Sequence, residues 1–471
     1  YLIVAPFFFD LNMTDKKKIL IVISSNLFIR NYILTDAFSR LEMKYDCHYI
    51  ANKNITIVNE IIDKNGFKEF YEIDKKTQKI HQNIFNALMW RYRNKSSSFQ
   101  FRIMRATPTL NKVWNGSKSR MHLRFIKWLV IKPYILVKRM LLDVDKIYQW
   151  YFAKITNNIY PNSTLRSYIE SNKYDLVIFP SSAYDVEGID IAWICEENNT
   201  NSLFLIDNWD NLSSKTIMWK RPSYLGVWGE QSRQHAVYIQ GFKEKNITLL
   251  GTPRFNNYFK DRELKINNYF DHKYILFVGT ALDFDEEGLL LIIDNVVEKY
   301  KKKWGNIKVI YRPHPWRQNN CQVKSSYGVN IFTDPQILAL NNDKSIKTQP
   351  DLEYYSGLLK NAEFVMGGLT TMLIEGLIFR KQFLAFIHDN DKYVTNMANA
   401  WKYFEHFKNL DCVDAITLSY DKSDVEQKMI ESWNKKETLL CSTIDKQRSW
   451  YLFNDEHSYK DRLSSCVDKL I

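Results

Sequence analysis

Short apolar runs alternate with segments of helical periodicity along most of the chain, a pattern typical of parallel α/β proteins. The clearest run is ILIVISS, which predicts a buried strand. The predicted strands of the first half are Ile19–Ser25, Cys47–Asn52, Asp175–Pro180, Ser202–Asp207, Tyr224–Gly229 and Ile247–Gly251, and the predicted helices are Leu27–Leu41, Ile189–Asn198 and Ser232–Gly241.

A second unit with the same alternation begins at Tyr274. The residues before it, 259–273, are charged and rich in Asn with little periodicity, which predicts a linker. The predicted strands of the second unit are Tyr274–Gly279, Lys308–Arg312, Val329–Thr333, Glu363–Met366 and Gln382–Ile387, and its predicted helices are Glu286–Lys301, Leu352–Asn361 and Thr371–Arg380.

These two series predict an α/β chain of two Rossmann-like domains facing a central cleft, and 471 residues suffice for two domains. We assign residues 13–262 to the first domain, 272–420 to the second, and 421–471 to a polar helical tail that packs back on the first. Ligands of open parallel sheets bind at the carboxyl ends of the strands. Residues with chemical roles are therefore expected directly after strands.

The positive charge of the chain is concentrated in one segment. The chain has a net charge of +12, and residues 84–154 alone contain 15 Lys and Arg against two Asp, interleaved with many aromatic residues. This mixture suits an anionic membrane surface or a lipid-linked acceptor, and it equally suits a solvated insertion. Nucleic acid is disfavoured, because no nucleic-acid-binding motif accompanies the charge.

The cysteines indicate a reducing compartment. The six are scattered without a CxxC pair or a nearby histidine, so neither a disulfide framework nor a zinc site is predicted. Residues 1–12 are apolar but shorter than a membrane span, and Met13 is the expected natural start. We expect a cytoplasmic protein, with peripheral contact at the inner face of the cytoplasmic membrane as an open alternative.

A histidine held between prolines is the first candidate for chemistry. The segment Tyr311-Arg-Pro-His-Pro-Trp-Arg317 directly follows a predicted strand. His314, stiffened by Pro313 and Pro315 and flanked by Arg312, can donate to a nucleotide phosphate and offset the charge of a leaving group. The alternative is a rigid turn with an exposed histidine.

A glycine-rich turn is the second candidate. In Met366-Gly-Gly-Leu-Thr-Thr-Met-Leu-Ile-Glu375, a strand leads into a helix through Gly367 and Gly368, which allow close backbone approach to a phosphate. Thr370 and Thr371 are expected to cap the helix. Glu375 either reaches a ribose or is a solvated helix residue. Gly279 and Thr280 follow the first strand of the second domain and also belong to the predicted donor site. Arg312 and Pro315 are predicted to be part of this site too, with Arg312 holding the donor phosphates together with His314.

Carboxylates follow two strands of the first domain. One of them is expected to act as the general base that takes a proton from an acceptor hydroxyl. The candidates are Asp185, Glu187, Asp207 and Asp210, with Asp210 and Glu187 preferred. For each of them, helix capping or a turn is the alternative.

The sequence disfavours several classes of enzyme. No Asp-x-Asp pair follows a strand as metal-dependent transferases require; Asp143-Val-Asp145 and Asp283-Phe-Asp285 lie in a basic helical stretch and a loop. The phosphate-binding lysine loop, GxSxG, HExxH and GxGxxG are also missing, which disfavours kinases, hydrolases, metalloproteases and dehydrogenases. We expect no metal and no cofactor, with the nucleotide-sugar as a substrate.

Five motifs follow one another along the chain: Asp-Asn-Trp-Asp-Asn-Leu-Ser-Ser-Lys (207–215), Val-Trp-Gly-Glu (227–230), Leu-Gly-Thr-Pro-Arg-Phe (250–255), Tyr-Arg-Pro-His-Pro (311–315) and Gly-Gly-Leu-Thr-Thr (367–371). Together they resemble bacterial surface-polysaccharide glycosyltransferases of the GT-B type. The His-Pro pair with a downstream hydroxyl pair is similar to the donor site of sialyltransferases and Kdo transferases, where it binds CMP. The same pair with Gly-x-Pro-Arg resembles CDP-glycerol glycerophosphotransferases. The Asp/Glu-Asp/Glu-Gly motif of sialyltransferases has only a partial counterpart in Val-Glu-Gly, residues 186–188.

The resemblance implies a metal-independent, inverting transfer of a sugar, preferably from a CMP-sugar, to a surface polysaccharide or lipopolysaccharide. His314, Thr370 and Thr371 would hold the donor phosphate, and a first-domain carboxylate would be the base. Polyol-phosphate transfer from CDP-glycerol is the second interpretation. A non-catalytic nucleotide-binding scaffold of a polysaccharide assembly complex is the third.

Overall fold

The computed structural model describes residues 16–55, 67–107, 121–157, 159–266, 268–282, 284–314, 323–342, 352–389 and 396–471. Residues 1–12, Met13, Pro315 and the Asp283 position of the second Asp-x-Asp pair lie outside the described residues. No described helix is long and apolar enough to cross a membrane.

A parallel sheet of seven strands forms the first domain, in the order β3-β2-β1-β4-β5-β6-β7. Strand β1 pairs with β2 on one side and with β4 on the other, with Ile19 opposite both Cys47 and Leu176. The strands are β1 Lys18–Ile23, β2 Asp46–Asn52, β3 Phe67–Tyr71, β4 Leu176–Ser181, β5 Asn201–Ile206, β6 Tyr224–Val227 and β7 Ile247–Leu249.

Helices connect these strands and build a large insertion between β3 and β4. Among the described residues the insertion contains five helices, α3 to α7, of which α5 is the longest with 23 residues. The helices are α1 Asn26–Phe28, α2 Ser39–Lys44, α3 Lys75–Arg91, α4 Ser97–Ala106, α5 Met121–Asp143, α6 Asp145–Thr156, α7 Ser163–Asn172, α8 Val186–Glu197, α9 Asn211–Ser214, α10 Glu230–Gln234 and α11 Asn256–Glu263.

The second domain contains a parallel sheet of six strands in the order β10-β9-β8-β11-β12-β13. Its strands are β8 Tyr274–Val278, β9 Lys308–Arg312, β10 Ile331–Thr333, β11 Val365–Gly367, β12 Phe383–Phe386 and β13 Ile416–Ser419. The helices from here to the end of the chain are α12 Glu286–Trp304, α13 Pro335–Asn342, α14 Leu352–Asn361, α15 Met372–Ile378, α16 Met397–Tyr403, α17 Val425–Lys435, α18 Cys441–Tyr451 and α19 Tyr459–Val467.

Both sheets are covered by helices on both faces, which explains the continuous apolar runs in the sequence. Alternate residues of β1 enter different cores: Ile19 and Ile21 pack with α19, whereas Leu20 and Val22 pack with α8. In β8, likewise, Ile275 packs with α12 and α17 on one face. Apart from the exposed Lys18 at the start of β1, these two strands therefore consist of apolar and aromatic residues.

The last three helices run from the second sheet back to the first. Val425 of α17 belongs to the core of the second domain, whereas Tyr459 and Leu463 of α19 belong to that of the first. Between them, the chain crosses at Phe453, whose N–H donates to the carbonyl of Trp228 at 2.7 Å. This crossing ties the end of the chain to both domains.

Three local features differ from the pattern-based expectation. The predicted helix Leu27–Leu41 is divided into α1, a π-helical turn and α2, because Asp36 has a left-handed backbone with φ 54°. Strands β3 and β13 were not predicted. The predicted linker contains the end of α11, so it is partly helical.

Candidate functional site

Each sheet has one point where the strand order reverses. Strand β1 lies between β2 and β4 in the first sheet, and β8 lies between β9 and β11 in the second. At such a point the loops leave the sheet in opposite directions, and a crevice opens at the carboxyl ends of the strands. Ligand-binding residues are therefore expected in the loops after β1 and β4 and in those after β8 and β11.

The predicted donor loops of the second domain meet at its reversal point. Thr280, after β8, is buried, and its hydroxyl donates to the carbonyl of Leu369 in the glycine-rich turn at 2.9 Å. The N–H of Thr280 donates to the carboxylate of Glu286 at 3.0 Å. One threonine thus fastens the loop after β8 to the loop after β11.

Glycines let these loops approach one another closely. A Cβ atom on Gly279 would lie 2.7 Å from the backbone nitrogen of His314, and one on Gly368 would lie 2.8 Å from the Thr280 side chain. A Cβ atom on Gly367 would lie 2.1 Å from the carbonyl oxygen of Val278. The loops after β8, β9 and β11 consequently form one compact backbone surface.

Alanine at Gly367 tests this packing. We expect Gly367→Ala to lower the free energy of unfolding by about 1–3 kcal/mol, because a backbone carbonyl has to move to admit the methyl group. Gly376→Ala is the matched control, since its added Cβ would lie an ordinary 3.6 Å from Phe383. Chemical denaturation measures both. Equal stability of the two variants would contradict the close approach.

His314 lies half-exposed directly after β9, beside Gly279. It is therefore accessible at the same strand ends as the glycine-rich turn. Thr370 and Thr371 are also half-exposed there. Thr371 is the first residue before α15, yet its side chain makes no capping hydrogen bond; instead Thr370 accepts a long one, 3.5 Å, from the N–H of Met372.

Arg312 lies beneath this surface. Its guanidinium is buried, stacks on the ring of Tyr355 at 4.4 Å, and donates to the Tyr355 hydroxyl at 2.7 Å. The Nε atom of Arg312 has no hydrogen-bond partner among the described residues. Arg312 thus supplies positive charge from behind the loops.

Glu375 joins the two domains. Its carboxylate is 4% exposed, pairs with Arg254 from the loop after β7, and accepts from the hydroxyl of Tyr258 at 3.3 Å. Glu375 is therefore not the solvated helix residue that the sequence left open. Arg254 belongs to the Gly-Thr-Pro-Arg turn, so that turn meets the second domain.

Carboxylates gather at the reversal point of the first sheet. Asp185 accepts from the N–H of Ser182 at 2.7 Å and so fixes the turn after β4. Glu187, in the first turn of α8, accepts from the amide of Asn52 at the end of β2, at 2.9 Å. Burial, followed by the charge of Asp185, raises the pKa of Glu187 to about 7.

Two more groups extend this carboxylate cluster. Asp190 is buried; its burial and the charge of Glu187 raise its pKa to about 7, and one of its oxygens has no partner among the described residues. Tyr71, at the end of β3, is buried, and its hydroxyl has no partner among the described residues. Its burial, followed by the charges of Glu187 and Asp185, raises the pKa of Tyr71. The cluster therefore contains groups that exchange protons near neutral pH.

Asp207 follows β5 and lies next to the end of β4, where its N–H donates to the carbonyl of Ser181 at 2.9 Å. It is buried, and its carboxylate accepts from the amide of Asn31 at 2.9 Å. Burial raises the pKa of Asp207, while Arg254 and Arg30 oppose the increase. Its carboxylate thus lies between the acidic cluster and the arginine that contacts Glu375.

Asp210 has a different environment. Its carboxylate accepts from the hydroxyl of Ser214 at 2.8 Å and lies 3.5 Å from the ammonium of Lys215. Burial favours the neutral form, but the charges of Lys215 and His406 and the hydrogen bond from Ser214 together outweigh this effect, so the pKa of Asp210 is lowered. An ionised, paired carboxylate is a weaker proton acceptor than one whose pKa lies near the working pH.

Sequence reasoning missed Asn31, Asn52 and Tyr71, and it named Arg254 only as part of a motif. Asn52 is the last residue of a strand that was predicted, so the strand-end rule could have found it. Tyr71 ends β3, which was not predicted. Among the described residues, no group of three or more His, Cys, Asp or Glu could hold a metal ion.

No protein-family model matches the chain, and the search of curated sequences gave no match. Among solved structures, the chain is similar to the UDP-GlcNAc 2-epimerase of Neisseria meningitidis bound to UDP-GlcNAc, with a TM-score of 0.52 and 10% identity over 96% of this chain and 100% of the other. It is also similar to a provisionally assigned UDP-N-acetylglucosamine 2-epimerase of Listeria monocytogenes, with a TM-score of 0.50 and 9% identity over 96% of each chain. The chain has the GT-B fold: two Rossmann-like domains that face a central cleft.

Proposed function

We propose that the protein is a glycosyltransferase that moves a sugar from a nucleotide-activated donor to a surface glycan or a lipid-linked glycan. One observation carries the proposal. The half-exposed His314 and the glycine-rich loops meet at the reversal point of one sheet, and proton-accepting carboxylates meet at the reversal point of the other. A donor site and an acceptor site on opposite domains are what a group transfer between two bound substrates requires.

The second domain is the donor side in this proposal. Backbone N–H groups of the glycine-rich loop and the hydroxyls of Thr370 and Thr371 bind the donor phosphate, and His314 donates to the leaving oxygen. Helix α15 has only seven residues, so the loop groups are assigned this role in preference to the helix dipole. Buried Arg312 adds positive charge behind the loop without touching the donor.

The first domain is the acceptor side, with Glu187 as the general base. The acceptor hydroxyl oxygen bonds to the anomeric carbon, the bond from that carbon to the phosphate oxygen breaks, and its electron pair leaves with the nucleotide. The acceptor proton passes to Glu187, whose pKa of about 7 suits a base near neutral pH. Asp207 and Asp210, which is paired with Lys215, position the acceptor in this proposal.

A nucleotide-sugar ligand is also named for the Neisseria meningitidis epimerase, which was bound to UDP-GlcNAc. We extend the ligand class, a nucleotide-sugar, to this chain. For the nucleotide itself we favour CMP, in keeping with the His-Pro motif, and we expect transfer without a metal ion.

The test is a product analysis with purified protein. CMP-, CDP-, UDP-, GDP- and dTDP-linked donors are incubated with a mixed glycan acceptor, with Mg²⁺ or with EDTA, and the products are identified by mass spectrometry and phosphorus NMR. We expect a free nucleotide and a new glycosidic bond in EDTA. A phosphodiester product would instead indicate polyol-phosphate transfer, and conversion of the donor to its epimer without transfer would contradict the proposal.

A further inference from the structure

Helix α5 presents a continuous apolar surface to solvent. Nine large apolar side chains between positions 123 and 141 are 44–70% exposed. At 100° per residue they fall within an arc of roughly 160° that contains no Lys, Arg, Asp or Glu. They are Leu123, Ile126, Leu129, Val130, Tyr134, Leu136, Val137, Met140 and Leu141.

The opposite side of α5 is attached to the protein. The indole N–H of Trp90 in α3 donates to the carbonyl of Arg139 at 2.9 Å, and the Arg139 guanidinium donates to the hydroxyl of Thr107 at 2.7 Å. Ile135 and Leu142 line a cavity of about 260 Å³ between α3, α4, α5 and α6. These contacts fix the rotation of α5, so its apolar arc faces outwards.

Positive charge borders the apolar arc. Lys138 lies at one edge, whereas Lys132 lies at the other, with its ammonium 4.8 Å from the ring of Trp128. The sequence from 75 to 142 contains no Asp or Glu. On the adjacent helix α6, Trp150 is 62% exposed and lies 5.1 Å from the ammonium of Lys154.

We propose that α5 binds in the plane of an anionic lipid bilayer, with its apolar arc among the acyl chains and its bordering lysines at the headgroups. An apolar face bordered by Lys, with an exposed Trp on the adjacent helix, is the composition of an interfacial helix. Spanning the bilayer would place Lys127 and Lys132 near its centre, which is costly. A second copy of the chain is disfavoured as the occupant, because two segments without carboxylates would repel each other.

This inference does not depend on the proposed activity. It also gives a physical reason for the basic, aromatic segment 84–154. The positive charge of this segment attracts anionic lipid over one Debye length, about 10 Å at 0.1 M salt.

The experiment is flotation of the full-length protein with vesicles. Vesicles of phosphatidylcholine with about 30 mol% phosphatidylglycerol are compared with vesicles of pure phosphatidylcholine. We expect the protein to float with the anionic vesicles. The triple variant Ile126→Ser/Val130→Ser/Val137→Ser should bind at least about tenfold more weakly, since three side chains that enter the acyl region are lost.

A matched variant controls for the loss of exposed apolar surface. Leu291→Ser/Val329→Ser/Leu440→Ser changes three residues that are 59%, 68% and 70% exposed elsewhere, and it should float like the unchanged protein. Circular dichroism establishes that both variants are folded. Equal flotation of the two variants, no flotation of the unchanged protein, or a dimer in light scattering that the α5 variant converts to a monomer would each overturn the proposal.

Discussion

Replacing His314 with alanine is expected to lower kcat by about 10²–10³, the usual cost of removing one donor that stabilises developing negative charge. His314 is half-exposed at the carboxyl end of β9, and its backbone packs against Gly279. The imidazole is not part of an apolar core, so the fold should survive the change. Initial rates of nucleotide release measure the effect.

The control for His314→Ala is His457→Ala. His457 has a side chain that is 62% exposed near α19, where it lies 3.3 Å from Asp455. We expect unchanged turnover and unchanged melting temperature for this variant. Near-normal turnover of His314→Ala, or an equal loss in both variants, would exclude the assigned role.

Replacing Glu187 with glutamine is expected to lower kcat by about 10²–10⁴, because the amide is nearly isosteric but cannot accept the acceptor proton. The pH profile gives a sharper signature. The base must be ionised, so kcat/KM of the unchanged protein should rise with pH through about 7, the pKa of Glu187. Glu187→Gln should lack this acidic limb.

Glu196→Gln, on the same helix, is the control for Glu187→Gln. Glu196 is 65% exposed and paired with Lys220, so its loss should leave both the rate and the pH profile unchanged. An acidic limb that persists in Glu187→Gln would assign the base to another group, with Asp190 the first to examine because its pKa is also about 7.

The sequence predicted the two-domain fold because its central strands are buried on both faces and consist of uninterrupted apolar residues. The run from Ile19 to Ile23 is such a strand. Strand β3, at the edge of the sheet, was missed because the adjacent charged residues Lys68 and Glu69 interrupt the apolar pattern of FKEFY. Asp36 has a left-handed backbone, a conformation that glycine usually adopts, and it interrupts the predicted helix Leu27–Leu41. The sequence has no glycine there to indicate the interruption.

The candidate site was predictable only in part, because motifs reveal neighbours in sequence and not partners in space. The glycine-rich turn and the histidine segment were identifiable, since each follows its own strand. The pairing of Glu375 with Arg254 joins residues 121 positions apart. Burial raises the pKa of Glu187, whereas Lys215 and His406 lower the pKa of Asp210 despite its burial, and His406 lies far from Asp210 in the sequence.

In the proposed mechanism, the second domain binds the donor nucleotide and the first domain supplies the base. This assignment is tested most directly by the melting temperature in the presence of nucleotides, because a ligand that binds only the folded state raises the melting temperature. CMP, CDP, UDP, GDP and dTDP are each added to the unchanged protein, His314→Ala and Glu187→Gln, with and without Mg²⁺. We predict that CMP or CDP stabilises the unchanged protein and Glu187→Gln without metal, and that His314→Ala loses the response. Stabilisation that is lost in Glu187→Gln and kept in His314→Ala, or no response to any nucleotide, would contradict a donor site on the second domain.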